Sequence, residues 1–251
     1  MTFLLRAASL AWRKRVHMNT ASQRPPPRQP AELASFIDHT LLKPEADAAA
    51  IRKLCAEARA HKFFAVCVNG AHVRLAADEL RNSGVTVASV VGFPLGAMSS
   101  VAKAREAELA ARDGAREIDM VMRIDLAKSG VFTGVRDDIR EVVRAVDGQA
   151  IVKVILETGL LSLEEISRSC RSVEEAGAHF VKTCTGFSTG AASIEHIALM
   201  RDAVSDRVQV KASGGIRSWE QARDLILAGA DRLGTSSGVQ LVQAIASTGG
   251  Y

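Results

Sequence analysis

The stretch Leu163–Thr185, LEEISRSCRSVEEAGAHFVKTCT, decides how this chain folds. In its first half Leu163, Ile166, Cys170 and Val173 recur at three- and four-residue spacing, the mark of one apolar helix face. Ala176-Gly177-Ala178 then stops the helix, because glycine adopts the left-handed C′ conformation that turns the chain back. The run from His179 to Thr185 reads as a strand, with Lys182 inside otherwise apolar surroundings. Helix, glycine and strand form one unit.

The unit recurs. Asp113-Gly114-Ala115 and Ala228-Gly229-Ala230 also stand between a helical pattern and a strand. Strand candidates are Phe36–Thr40, Ala65–Asn69, Thr86–Phe93, Glu117–Met122, Ala150–Glu157, His179–Thr185, Val208–Ser213 and Asp231–Ser236. Helical patterns at Ala46–His61, Ser99–Arg112, Leu163–Glu175 and Trp219–Leu227 lie between them. Strands alternating with longer helices predict a parallel sheet covered on both faces. An open doubly wound sheet is the alternative, but neither GxGxxG after a first strand nor a GxxxxGK phosphate loop is present. The expected fold is therefore α/β, a (β/α)8 TIM barrel made by copying one βα unit around a ring. Its active site is expected at the C-terminal ends of the strands.

With 251 residues and 47% hydrophobic content, one domain over residues 32–251 with a short C-terminal tail is expected. Residues 1–31 carry Arg6, Arg13, Lys14, Arg15, Arg24 and Arg28 and no acid, so the net charge of +4 resides in this segment. It reads as a basic, disordered leader, with a transit peptide or a true start at Met18 as alternatives. Without it the remainder is about −2, which gives no support for a nucleic-acid surface. No stretch approaches the roughly 20 apolar residues that span a bilayer. Cys55, Cys67, Cys170 and Cys184 lack CxxC spacing, so free thiols in a reducing cytoplasm are expected. The six histidines lack the close pairs of a zinc site, and no metal is expected.

Chemistry concentrates on two lysines. Lys182, in Phe180–Cys184, and Lys211, in Val208–Ser213, stand on consecutive strands. A buried amine beside a second cation is pushed from about 10.4 toward neutrality and becomes a nucleophile for an aldehyde. The alternative is that structural carboxylates neutralise both; their neighbouring positions favour the functional reading. Asp119, within Glu117–Val121, is placed to hold a lysine or to relay protons. Asp38 in Ile37–Thr40 is a second such carboxylate, or caps the following turn. Lys153 and Glu157 share a strand face by alternation and pair with each other or with the site lysines. Cys67 and Cys184 line the barrel mouth or serve as small apolar filler.

Glycine and hydroxyl clusters follow the last three strands, at Thr185–Gly190, Ser213–Arg217 and Gly234–Gly238. Free backbone amides next to a helix start make an anion cradle, which points to a phosphorylated substrate.

Together, Asp38-His39-Thr40, Val91–Gly96, Glu117-Ile118-Asp119, Lys153–Thr158, Val181–Phe187, Lys211–Arg217 and Gly234–Ser237 resemble the deoxyribose-phosphate aldolase family over about residues 33 to 242. The resemblance implies reversible cleavage of 2-deoxyribose 5-phosphate to acetaldehyde and glyceraldehyde 3-phosphate through a lysine Schiff base, in deoxyribonucleotide catabolism and without a cofactor. It puts the Schiff-base lysine at Lys182, the lysine that perturbs it at Lys211 and the proton-transfer carboxylate at Asp119. Asp38, Cys67 and Lys153 fall in supporting positions. The family's phosphate contacts fall on Gly186, Gly214, Gly215, Ser236 and Ser237. One branch of the family has lysine after the glycine at 186; Phe187 stands here, which shifts the expected phosphate affinity toward backbone amides. A C-terminal tyrosine that reaches the site corresponds to Tyr251. The partner implied is a small sugar phosphate, with no nucleic acid and no membrane; the oligomeric state stays open, a homodimer included. A transaldolase-like Schiff-base enzyme and a catalytically silent phosphate-binding barrel are the competing readings.

Overall fold

A computed structural model describes residues 24–245. The leader residues 1–23, Met18 among them, and Tyr251 lie outside the described residues. The chain enters through a 3-10 turn, Pro30–Phe36, that buries Leu33 and Phe36. Eight strands follow: β1 Ile37–Leu41, β2 Ala65–Val68, β3 Thr86–Val91, β4 Glu117–Val121, β5 Ile151–Ile155, β6 Phe180–Lys182, β7 Gln209–Ser213 and β8 Arg232–Thr235. Each pairs in parallel with its sequence neighbour, and β8 closes on β1.

The helices are α1 Ala48–His61, α2 Val73–Glu79, α3 Ser100–Asp113, α4 Ile124–Lys128, α5 Phe132–Ala145, α6 Leu163–Glu175, α7 Ile194–Ala203, α8 Trp219–Leu227 and α9 Gly238–Val242. This corrects the expected fold. The strands close into an eight-stranded parallel barrel, but the surrounding layer is not one βα unit copied eight times. Two helices, α4 and α5, follow β4, 3-10 turns precede α2 and α6, and α9 has only 5 residues where α1 has 14. Barrel closure depends on backbone pairing between strands; the outer layer has only to cover their apolar side chains, so its elements vary in length and number.

Local sequence fixes the helix ends. Asp47, Ser99, Ser162, Ser193 and Ser218 cap the N-termini of α1, α3, α6, α7 and α8 with side-chain bonds to backbone amides, and Ser162 with Glu165 completes a capping box. At the repeated glycine stops, Gly114, Gly177 and Gly229 have φ of 120, 82 and 115°, the conformation expected of them. No helix among the described residues is long and apolar enough to cross a membrane.

Two apolar clusters form. The large one joins outward-facing strand residues such as Ile118, Met120, Val152, Val154, Val181, Val210 and Leu233 to the helices. Each such fully buried side chain contributes about 1.5–3 kcal/mol. The small one, Leu42, Cys67, Ala88 and Val90 with Phe93 against it, lies on the opposite face of the strands. Outside the barrel, Lys103 on α3 is fully buried and donates to Asp138 on α5 and to the carbonyl of Val121, each at 2.9 Å.

Candidate active site

Alternation sends Glu117 and Asp119 of β4 to the barrel interior while Ile118 and Met120 face the helices. The same parity brings Asp38, Lys153, Lys182, Lys211 and Arg232 inward from β1, β5, β6, β7 and β8, where they meet across the barrel. All seven are at most 3% exposed. The half of the interior formed by β2 and β3 is apolar, so the charged half has only its own members for partners.

The geometry is specific. Lys182 and Lys211 are partners in register across β6 and β7. Both donate to the same oxygen, Asp119 Oδ2, at 2.8 Å each. Lys153 takes the other oxygen, Oδ1, at 2.9 Å, and reaches Glu117 Oε2 at 2.5 Å and Asp38 Oδ2 at 3.1 Å. Lys211 also bonds to Asp38 Oδ2, and Arg232 closes the network on Asp38 Oδ1 at 2.7 Å and on Glu117 at 3.3 Å. Glycine at 234 makes this possible, since a Cβ there would stand 3.0 Å from Lys211 Cε.

Electrostatics separate the lysines. Burial pushes the Lys182 amine below the usual lysine range, and Lys211 beside it pushes the same way, against the pull of Asp119. Burial acts on Lys153 in the same sense, but Asp119, Asp38 and Glu117 outweigh it and hold that ammonium well above the usual range. Burial alone would raise Asp119, yet the lysines at 153, 182 and 211 hold it well below the ordinary carboxylate range. The Cys67 thiol, which faces this group, is pushed up to about 11 by burial and then by Asp119, so it is neutral.

The sequence-selected residues are thereby placed. Lys182, Lys211, Asp119, Asp38 and Lys153 form one network, with Cys67 at its edge. Asp38, the second residue of β1, binds cations instead of capping a turn. Glu157 does not pair with Lys153. It follows β5 at φ 58°, and its carboxylate takes the Thr185 hydroxyl at 2.5 Å and the Thr185 amide at 3.3 Å. Sequence reading missed Arg232 and Glu117; each is a charge at an inward position of a buried strand, the same signal that marked Asp119.

A cavity of about 240 Å³ opens beside the network at the ends of β6, β7 and β8. Gly186, Gly215, Ser236 and Ser237 line it, together with Ser188, Thr235 and the exposed Arg217, which the resemblance did not name as phosphate contacts. Gly214 is not among the lining residues: it packs on Cys184 and Gly190, and its carbonyl accepts from Ala192. Gly215 has φ 72°, and a Cβ there would meet Ala191 at 3.1 Å, so the loop needs glycine. Phe187 meets Phe93 edge-on at 5.2 Å.

An aligned amine, a carboxylate within hydrogen-bond reach of it, and a neighbouring anion-sized cavity suit covalent chemistry on a small phosphorylated carbonyl compound. Comparison with known proteins agrees. Residues 33–243 match the model of the DeoC/LacD family aldolase. A deoxyribose-phosphate aldolase of Bdellovibrio bacteriovorus is 52% identical over 88% of this chain and 100% of its own length. One from Staphylococcus epidermidis is 48% identical over 87% of this chain and 99% of its own. The tetrameric deoxyribose phosphate aldolase of Aeropyrum pernix is similar in structure, with a TM-score of 0.81 at 33% identity, over 91% of this chain and 95% of that one.

Proposed function

The chain belongs to the DeoC/LacD aldolase family, and from that premise we propose that it cleaves 2-deoxyribose 5-phosphate reversibly to acetaldehyde and glyceraldehyde 3-phosphate, with Lys182 forming the Schiff base. One observation carries the assignment: Lys182 shares its carboxylate oxygen with a second lysine, the arrangement that leaves a buried amine short of countercharge.

Neutral Lys182 attacks C1 of the open-chain sugar phosphate. The carbinolamine loses water, with the proton supplied from the Asp119–Lys211 pair, and the resulting iminium draws electrons from the C2–C3 bond as that bond breaks. The C3 hydroxyl gives up its proton and becomes the aldehyde of glyceraldehyde 3-phosphate. The enamine left on Lys182 takes a proton at C2, and water releases acetaldehyde. Asp38 and Lys153 hold Asp119 in place. The cavity lined by Gly186, Gly215, Ser236 and Ser237 receives the phosphate, with Arg217 adding a positive charge at its edge. Cytoplasmic deoxyribonucleotide catabolism and a homodimeric assembly belong to the same reading.

Borohydride reduction in the presence of substrate tests it. A two-carbon adduct located on Lys182 by mass spectrometry is expected, absent from Lys182→Ala and insensitive to EDTA. An adduct on another lysine, activity surviving in Lys182→Ala, or faster cleavage of a hexose phosphate would overturn the assignment.

A further inference from the structure

The interior network has a charge count that its geometry does not relieve. Among the described residues, three carboxylates, Asp38, Glu117 and Asp119, face four cations, Lys153, Lys182, Lys211 and Arg232. In surroundings this dry an uncompensated charge is costly, and the group sheds a proton where it can.

The partners decide where. Lys153 contacts Asp38, Glu117 and Asp119. Lys211 contacts Asp38 and Asp119, and Arg232 contacts Asp38 and Glu117. Lys182 contacts Asp119 alone, through an oxygen it shares. From β2 it faces the neutral Cys67, and from β3 the apolar Ala88 and Val90. Glu157, beyond β5, is engaged by Thr185. Outside the far end of the barrel Arg24 and Asp231 face each other and the network, one of each sign.

Arg232 is the odd member. It opens β8, at the end of the strand remote from the cavity, with its guanidinium 3.4 Å over the Phe64 ring and 5.6 Å from that of Phe180. Among the described residues its Nε is buried without a partner. Were this position neutral, three carboxylates would balance three lysines and no amine would be left over.

We propose that Arg232 is the positioning residue that makes Lys182 the reactive amine: it adds to the barrel interior a cation that cannot give up its proton, and the ammonium with the fewest carboxylate partners gives one up instead. Glu117, bonded to both Arg232 and Lys153, sets the opposite side of the balance. Both act through partners they share with the rest of the network, Arg232 through Asp38 and Glu117 through Lys153. The proposal rests on Lys182 being the Schiff-base lysine.

The test compares wild type, Arg232→Met, Glu117→Gln and the double variant. Propanal serves as the probe, so that no phosphate titrates, and cyanoborohydride traps the imine as a function of pH. Arg232→Met is expected to move the acidic limb of trapping up by about one pH unit, roughly a tenfold loss below the limb that recovers in alkali. Glu117→Gln is expected to move it down. The double variant, again with one cation in excess, returns it to the wild-type position. A purely structural role would lower trapping at all pH values and leave the limb in place, and that result, or a double variant that fails to return, overturns the proposal. If Arg232→Met does not fold, the downward shift in Glu117→Gln and the return in the double variant decide. No adduct on Lys182 in wild type overturns the assignment of the Schiff base itself; an adduct there with an immobile limb overturns only the part given to Arg232.

Discussion

Lys182 and Lys211, neighbours in register on β6 and β7, donate to one carboxylate oxygen, Asp119 Oδ2, each at 2.8 Å. Two ammonium groups on one oxygen compete for a single negative charge. Lys211 has Asp38 as a second partner and Lys182 has none among the described residues, so the competition weakens the hold on the Lys182 proton.

Lys211→Met removes both the competitor and the like charge. Asp119 Oδ2 then serves Lys182 alone, with Lys153 still on Oδ1, and the Lys182 amine returns toward the ordinary lysine range and stays protonated at neutral pH. Loss of kcat/KM on the order of 10²–10⁴-fold at pH 7 is expected, with part of it regained as the pH rises toward 10. A pH–rate profile checks this; a variant whose acidic limb coincides with that of wild type would show that Lys211 acts in some other way.

Arg217 is exposed at the edge of the phosphate cavity, and its backbone amide is held by Gln221 Oε1 at 3.0 Å, so the loop is anchored independently of the guanidinium. Arg217→Gln is expected to raise KM for the phosphorylated sugar about tenfold with kcat little changed, because phosphate binding is the same in ground and transition states. Cleavage of unphosphorylated 2-deoxyribose is the control and should be unaffected. Equal loss on both sugars would place Arg217 in the chemistry instead of in phosphate binding.

The sequence made the strands legible where charge interrupted a buried run. Asp119 and Lys211 stood out because a carboxylate or an amine among branched apolar residues has no solvent to satisfy it, and their network is where the structure puts that charge. Arg232 carries the same signal but directly follows Asp231 at a helix-to-strand turn, and adjacent charges of opposite sign read as a surface pair. Glu157 misled for a different reason: alternation holds only while the backbone is extended, and β5 ends at Ile155. The helical layer was the least legible part of the fold. α4 and α9 are 5-residue helices, too short to show a period, and nothing in β-strand spacing requires one helix per strand.

The same network predicts how the protein responds to acid. Burial would raise Asp38, but Arg232, Lys153 and Lys211 reverse this and hold it, like Asp119, below the ordinary carboxylate range. A group whose pKa is depressed by folding stabilises the native state fully above its unfolded value, near 3.9, and loses that contribution as the pH falls from there toward the folded value. Lys182 has the same sign in a different window: its amine is lowered by folding, so its contribution falls as the pH drops from about 10.4 toward the folded value and is constant below that, in acid. Lys153, held well above its usual range, keeps its contribution at every pH below about 10.4 and is silent in acid. The urea midpoint should therefore begin to fall at about pH 4 and fall more steeply below that value. In Asp38→Asn the cations Arg232, Lys153 and Lys211 each lose a partner, which costs about 3–5 kcal/mol at pH 7. With one depressed carboxylate removed, however, the acid slope should flatten. Urea titrations of both proteins from about pH 7 to about pH 2 check this, and parallel slopes would mean that Asp38 titrates in the native state as it does in the unfolded chain.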